Sequence, residues 1–99
     1  MNIEEKIIGD TVELIITGRL DTTTAPQVES RMRESSQGYN VLVLDLSGVE
    51  YISSAGLRVV LIAHKLMAGT GGRMVVRNPS DFCRQVFEAT GMDGVLSIL

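Results

Sequence analysis

Val41–Met67 reads VLVLDLSGVEYISSAGLRVVLIAHKLM, an apolar run that passes through a serine-bearing turn into a second apolar stretch. Val41 to Leu46 is apolar except for Asp45, carries β-branched residues at Val41 and Val43, and is closed by Ser47-Gly48. That pattern predicts a central strand covered on both faces. Beyond Ser53-Ser54-Ala55-Gly56, the residues Leu57, Val60, Leu61, Ala63, Met67 and Ala68 recur at helical spacing, as one face of an amphipathic helix requires. The two serines therefore fall at a helix N-terminus.

Working outward, Glu4–Ile8 and Thr11–Thr17 are β-prone runs separated by Gly9-Asp10, which reads as an antiparallel hairpin. Gly18-Arg19-Leu20-Asp21 breaks the second run. Thr24, with Gln27 three residues on and Pro26 in the first turn, matches a capping box for a helix whose apolar stripe is Ala25, Val28 and Met32. Ser36-Gln37-Gly38 ends that helix. Gly69-Thr70-Gly71-Gly72 stops the second helix before a buried strand at Met74-Val75-Val76. Asn78-Pro79 then reads as an N-cap with proline at the first helical position, Phe82, Val86 and Phe87 supply a core face, and Gly91 terminates the helix. Val95–Leu99 is a short final strand or a packed tail. This order predicts one α/β domain over residues 1–99: a mixed sheet of four to five strands, an N-terminal antiparallel hairpin, and about three helices mainly on one face.

Composition excludes several classes. Nine basic against twelve acidic residues give a net charge of -3 with no basic block, which argues against a nucleic-acid partner. The N-terminus lacks the basic start and apolar core of a signal peptide, and the helix around Val60 is too short and interrupted to span a bilayer. A cytoplasmic protein without direct membrane insertion is expected. Cys83 is the single cysteine and His64 the single histidine, too few soft ligands for a structural zinc site. Neither a metal nor a cofactor is expected.

Chemistry at the helix start has two readings with the same geometry. Unpaired amides and a positive dipole end let Ser53 or Ser54 either cap the helix or carry a phosphate there. A nucleophilic serine needs a base nearby, yet His64 lies about 15 Å along the same helix at ~1.5 Å per residue. No catalytic residue is assigned. Gly69–Gly72 follows a helix and enters a strand, the reverse of a phosphate loop, and has no Lys-Ser or Lys-Thr ending. Asp45 reads as an acid bonding turn amides beside Ser47, and Asp21 as a turn residue or a functional acid.

Taken together, Gly18-Arg19-Leu20-Asp21, Leu44-Asp45-Leu46-Ser47-Gly48-Val49, Tyr51-Ile52-Ser53-Ser54-Ala55-Gly56-Leu57, Asn78-Pro79 and Ala89-Thr90-Gly91-Met92 resemble the successive signatures of STAS domains. Within that family they are most similar to the bacterial anti-sigma factor antagonists. The resemblance implies a partner switch: the unphosphorylated protein binds an anti-sigma factor that is also a serine kinase of the GHKL type, which frees a sigma factor. The kinase phosphorylates a serine at the helix start with its own ATP, and a PP2C-type phosphatase reverses the step. The chain itself is then binder and substrate, not an enzyme.

The family motif is Asp-Ser-Ser-Gly or Asp-Ser-Ala-Gly, and here Ser53 replaces the aspartate while Ala55 takes the second-serine position. Ser54 matches the first serine and is the implied acceptor, with Ser53 second. The implied partner surface comprises Arg19, Asp21, Thr22, Tyr51, Ser53, Ser54, Gly56 and Arg58. The two departures leave open a constitutive, non-phosphorylated STAS adaptor subunit of a lipid-transporting ABC complex. A small enzyme or nucleotide-binding protein is a third reading, opposed by the missing base and nucleotide motif.

Overall fold

A computed structural model describes residues 1–99. Strand β1 (Asn2–Ile8) and strand β2 (Thr11–Leu20) are followed by helix α1 (Ala25–Ser35), strand β3 (Val41–Ile52) and helix α2 (Ser54–Gly69). Strand β4 (Arg73–Arg77), helix α3 (Asp81–Thr90), a 3-10 turn (Met92–Gly94) and strand β5 (Ser97–Ile98) complete the chain. The sheet order is β1-β2-β3-β4-β5. The first pair is antiparallel, turning at Gly9 with φ 61°, and the other three pairs are parallel, as helical crossovers require.

All three helices pack on one face. Leu14 and Ile16 of β2, Leu42 and Leu44 of β3 and Val76 of β4 meet Met32, Val60, Ala63 and Phe87 in one continuous core. The opposite face carries no helix. Val43 and Val75 are nevertheless buried there, outside that core. On the same face Arg77 Nη1 reaches Glu13 Oε2 at 3.0 Å, joining β4 to β2 across β3. The expected two-sided cover of the central strand is thus supplied by side chains, whose aliphatic stems shield the valines.

Several boundaries differ from expectation. β3 does not close at Ser47-Gly48 but continues to Ile52, and β2 continues through Gly18, at φ 117°, to Leu20. Two register shifts make this possible: Ile15 faces Asp45 while Thr17 faces Gly48, and Gly18 faces Val49 while Arg19 faces Tyr51. Each inserts one extra residue into β3, the signature of a bulge that bends a strand and re-aims its side chains. On α2 the buried residues are Gly56, Val59, Val60, Ala63 and Met67, whereas Ala68 is exposed. The capping box at Thr24 does not form; its side chain makes no cap bond to α1. α3 starts at Asp81, with Ser80 rather than Asn78 as its cap, and Ser80 Oγ accepts from the Cys83 amide at 3.2 Å.

Candidate functional site

The bulged end of β3, the end of β2 and the starts of α2 and α3 converge, and the singled-out residues fall there. Asp21 sits where β2 turns into α1. Its Oδ1 accepts from the amides of Thr23 at 3.0 Å and Thr24 at 3.2 Å, closing the turn that precedes α1, while the Gln27 amide goes to the Thr24 carbonyl at 3.1 Å. Thr24 Oγ1 instead donates to the Arg19 carbonyl at 2.7 Å and accepts from the Asp21 amide at 3.0 Å. The carboxyl of Asp21 is held below the ordinary carboxylate range, chiefly by the Thr24 amide. Partial desolvation opposes this, and the Thr23 amide, the Thr24 hydroxyl and the Arg19 guanidinium reinforce it. Asp21 is therefore a fixed anion that also stiffens its loop.

At the start of α2 the two serines have separate tasks. Ser53 is the N-cap, extended at φ -93° and ψ 178°, and its Oγ accepts from the Gly56 amide at 3.4 Å. Its own amide donates to the Leu20 carbonyl at 2.9 Å, which pins the helix start against the Asp21 loop. Ser54 is the first helical residue, exposed, and its hydroxyl makes no hydrogen bond to the protein. The helix offers no acceptor for the Ser54 and Ala55 amides, which point out of its positive end.

Gly56, expected on the partner-facing surface, is buried. A Cβ there would lie 2.7 Å from the Leu20 carbonyl oxygen and 2.8 Å from Leu20 Cγ. Its contribution is the close seating of α2 on the end of β2. Arg58 and Thr22 do reach the surface, where they line a shallow cleft between α1 and α2 with Ala25, Pro26 and Ala55.

The second bulge places Tyr51 opposite Arg19. The guanidinium carbon stands 4.2 Å from the Tyr51 ring centroid, and Arg19 Nε is 3.7 Å from Asp21 Oδ2. Such an exposed cation–π contact contributes about 0.5–1 kcal/mol. On its other side Tyr51 meets Phe82, with ring centroids 5.2 Å apart and planes inclined by 40°. Phe82 was expected in the core, but the buried residues of α3 are Cys83 and Phe87, and Phe82 is 39% exposed. The signal for this was the i, i+4 pair Cys83 and Phe87, which centres the buried face and leaves Phe82 and Val86 on its flank.

The remaining candidates lie elsewhere or act structurally. Asp45 Oδ1 accepts from the amide and hydroxyl of Ser47 at 2.9 and 2.7 Å, matching its structural reading within a bulge rather than a turn. His64 is half-buried and forms no hydrogen bond to the protein. Cys83 is buried, which raises its thiol above the ordinary value. No group of three or more His, Cys, Asp or Glu is arranged to hold a metal. A hollow lined by Ser36, Tyr39, Leu66 and Met67 lies at the far end of α2, away from this cluster.

Known proteins place this architecture. The model of the STAS domain family matches residues 2–98. The anti-sigma-B factor antagonist of Listeria monocytogenes is 31% identical over 91 residues, covering 90% of this chain and 79% of that protein. The crystal structure of TM1081 from Thermotoga maritima superposes with a TM-score of 0.90 at 28% identity, covering 97% of this chain and 84% of the other. The Bacillus cell fate determinant SpoIIAA in its phosphorylated form has the same fold, with a TM-score of 0.76 at 19% identity, covering 99% and 91%. With a family match from the first strand to the last, and a relative similar over nine-tenths of the present chain, this chain belongs to the STAS domain family.

Proposed function

We propose that the chain is an anti-sigma factor antagonist working in a cytoplasmic partner switch. Unphosphorylated, it binds an anti-sigma factor that is also a GHKL-type serine kinase, and the sigma factor is released. That kinase transfers the γ-phosphoryl group of its own ATP to Ser54 Oγ, leaving ADP, and a PP2C-type phosphatase hydrolyses the phosphate ester. The carrying observation is that Ser54 presents an unengaged, exposed hydroxyl at the first position of α2, beside the rigid Asp21 loop.

The departure of Ser53 from the family motif is compatible with this role, because serine and aspartate cap helices comparably. A phosphate on Ser54 adds about -1.5 to -2 charge, which the helix dipole favours by roughly 0.3–1 kcal/mol. The fold therefore tolerates it and the cost falls on the partner, where each ~1.4 kcal/mol lost is tenfold in affinity. The partner surface is formed by Arg19, Asp21, Thr22, Tyr51, Ser53, Ser54 and Arg58, with Gly56 beneath it as packing.

The test is a pull-down from native cytosol with wild type and Ser54→Asp side by side, bound proteins being identified by mass spectrometry. Recovery of a GHKL-type kinase by wild type and not by the variant is the expected outcome. Equal recovery of a transporter ATPase by both would make the chain a permanent adaptor subunit and overturn the switch.

A further inference from the structure

Two of the chain's four aromatic residues, Tyr51 and Phe82, stack on each other at the functional end, and neither belongs to the fully buried core. Cys83 and Phe87 anchor α3 in the core, while the Phe82 ring lies at the functional end, packed on Tyr51 and still 39% exposed. The segment that carries Phe82 is held in place at several points. The Asn78 amide donates to the Leu99 carbonyl at 3.1 Å, the Ser80 amide to the Leu46 carbonyl at 3.2 Å, and the Ser80 hydroxyl to the Val49 carbonyl. Asn78 itself is held at φ 48°, a left-handed conformation uncommon for a residue with a side chain. An apolar ring thus stands in the first turn of α3, whose preceding loop is tied to the bulged end of β3, next to Tyr51 and the half-exposed Arg19.

We propose that Arg19, Tyr51 and Phe82 form the constant anchor of the partner interface, as distinct from its switchable half at Ser54. This rests on the partner-switch reading and deepens it by adding Phe82 and stating what the partner must offer. The occupant is the anti-sigma factor, because the stack is continuous with the Asp21 loop through the 3.7 Å Arg19–Asp21 pair. Its chemistry follows from the surface. An apolar side chain of the partner covers the free face of Phe82, and a carboxylate of the partner meets the guanidinium, since Asp21 and the Tyr51 ring leave part of it open to solvent. Rigid aromatic and arginine groups of this kind dominate binding at protein interfaces. The anchor explains how a kinase can engage its substrate long enough to phosphorylate it while the Ser54 contact remains the one that phosphate breaks.

The test is calorimetric titration of the purified anti-sigma factor into wild type, Phe82→Ala, Phe82→Gln, Arg19→Glu and Ser54→Asp, each first checked for an unchanged thermal midpoint. Phe82→Ala and Phe82→Gln are expected to weaken binding by tenfold or more, Arg19→Glu by as much, with the wild-type affinity falling as salt is raised. If the three substitutions bind within twofold of wild type while Ser54→Asp does not bind, the anchor is wrong and the switch stands. If Ser54→Asp binds like wild type while the Phe82 variants fail, the anchor stands and the switch is wrong.

Discussion

Asp21 commits one carboxylate oxygen to the Thr23 and Thr24 amides and turns the other toward Arg19. Its folded-state pKa is lowered, with the Thr24 amide as the largest cause. A depressed acid contributes stability that is present above the unfolded pKa and is lost as pH falls through the folded value. Asp21→Ala is therefore expected to lower the urea midpoint at pH 7, and the gap from wild type should narrow as pH drops below the ordinary aspartate value of 3.8. Urea titrations of both proteins at neutral and acid pH check this; a gap that widens toward acid would contradict the assignment. The sequence marks Asp21 as a turn residue or functional acid and Thr24 as the N-cap; Thr24 does hold that position, but its side chain makes no bond to the helix. The Thr24–Gln27 spacing was right for a capping box, yet the Arg19 carbonyl, brought close only by the extended β2, captures the Thr24 hydroxyl. Local spacing cannot report an acceptor that the tertiary fold supplies.

At the scale of elements, the strand-to-helix unit from β3 to α2 was legible because its periodicity is long and uninterrupted, and the two serines did fall at the helix start. The bulges were not, because an inserted residue resets alternation without leaving a breaker, and Ser47-Gly48 looked like an ending. Yet the second shift places Tyr51, rather than Glu50, opposite Arg19, so the part of the candidate surface built on β3 was the part least visible in the chain. α2 also shows how propensity and packing compete. Alanine is favoured over glycine within a helix by roughly 1 kcal/mol, but at Gly56 a Cβ would stand 2.7 Å from the backbone oxygen of Leu20, an overpacking worth about 1–3 kcal/mol. Backbone cannot swing aside as a side-chain tip can, so packing wins. Gly56→Ala is expected to destabilise the protein by up to about 2 kcal/mol net, the difference of those two effects, measured by chemical denaturation. A stabilising result would mean that α2 is not seated tightly on β2.

Across the whole molecule, the helices cover one face of the sheet and the candidate surface occupies one end, while the core beneath it is continuous. Ser54 lies outside that core, its hydroxyl holds nothing in place, and the cap belongs to Ser53. Charge added at Ser54 consequently has no packed contact to break and no second arrangement of the core to select, so the switch acts by changing a surface and not the shape. Backbone amide shifts on stoichiometric phosphorylation of Ser54 should therefore be confined to the Arg19–Thr24 loop, the first turns of α2 and the Ser80–Cys83 segment. The far end, at Ser36–Asn40 and Thr70–Arg73, should remain unchanged. Two-dimensional NMR of the phosphorylated and unphosphorylated protein decides the matter. Shifts spreading through β1, β4 and the far end would require a conformational change that this arrangement does not provide, and the loss of partner affinity would then have to be explained by refolding.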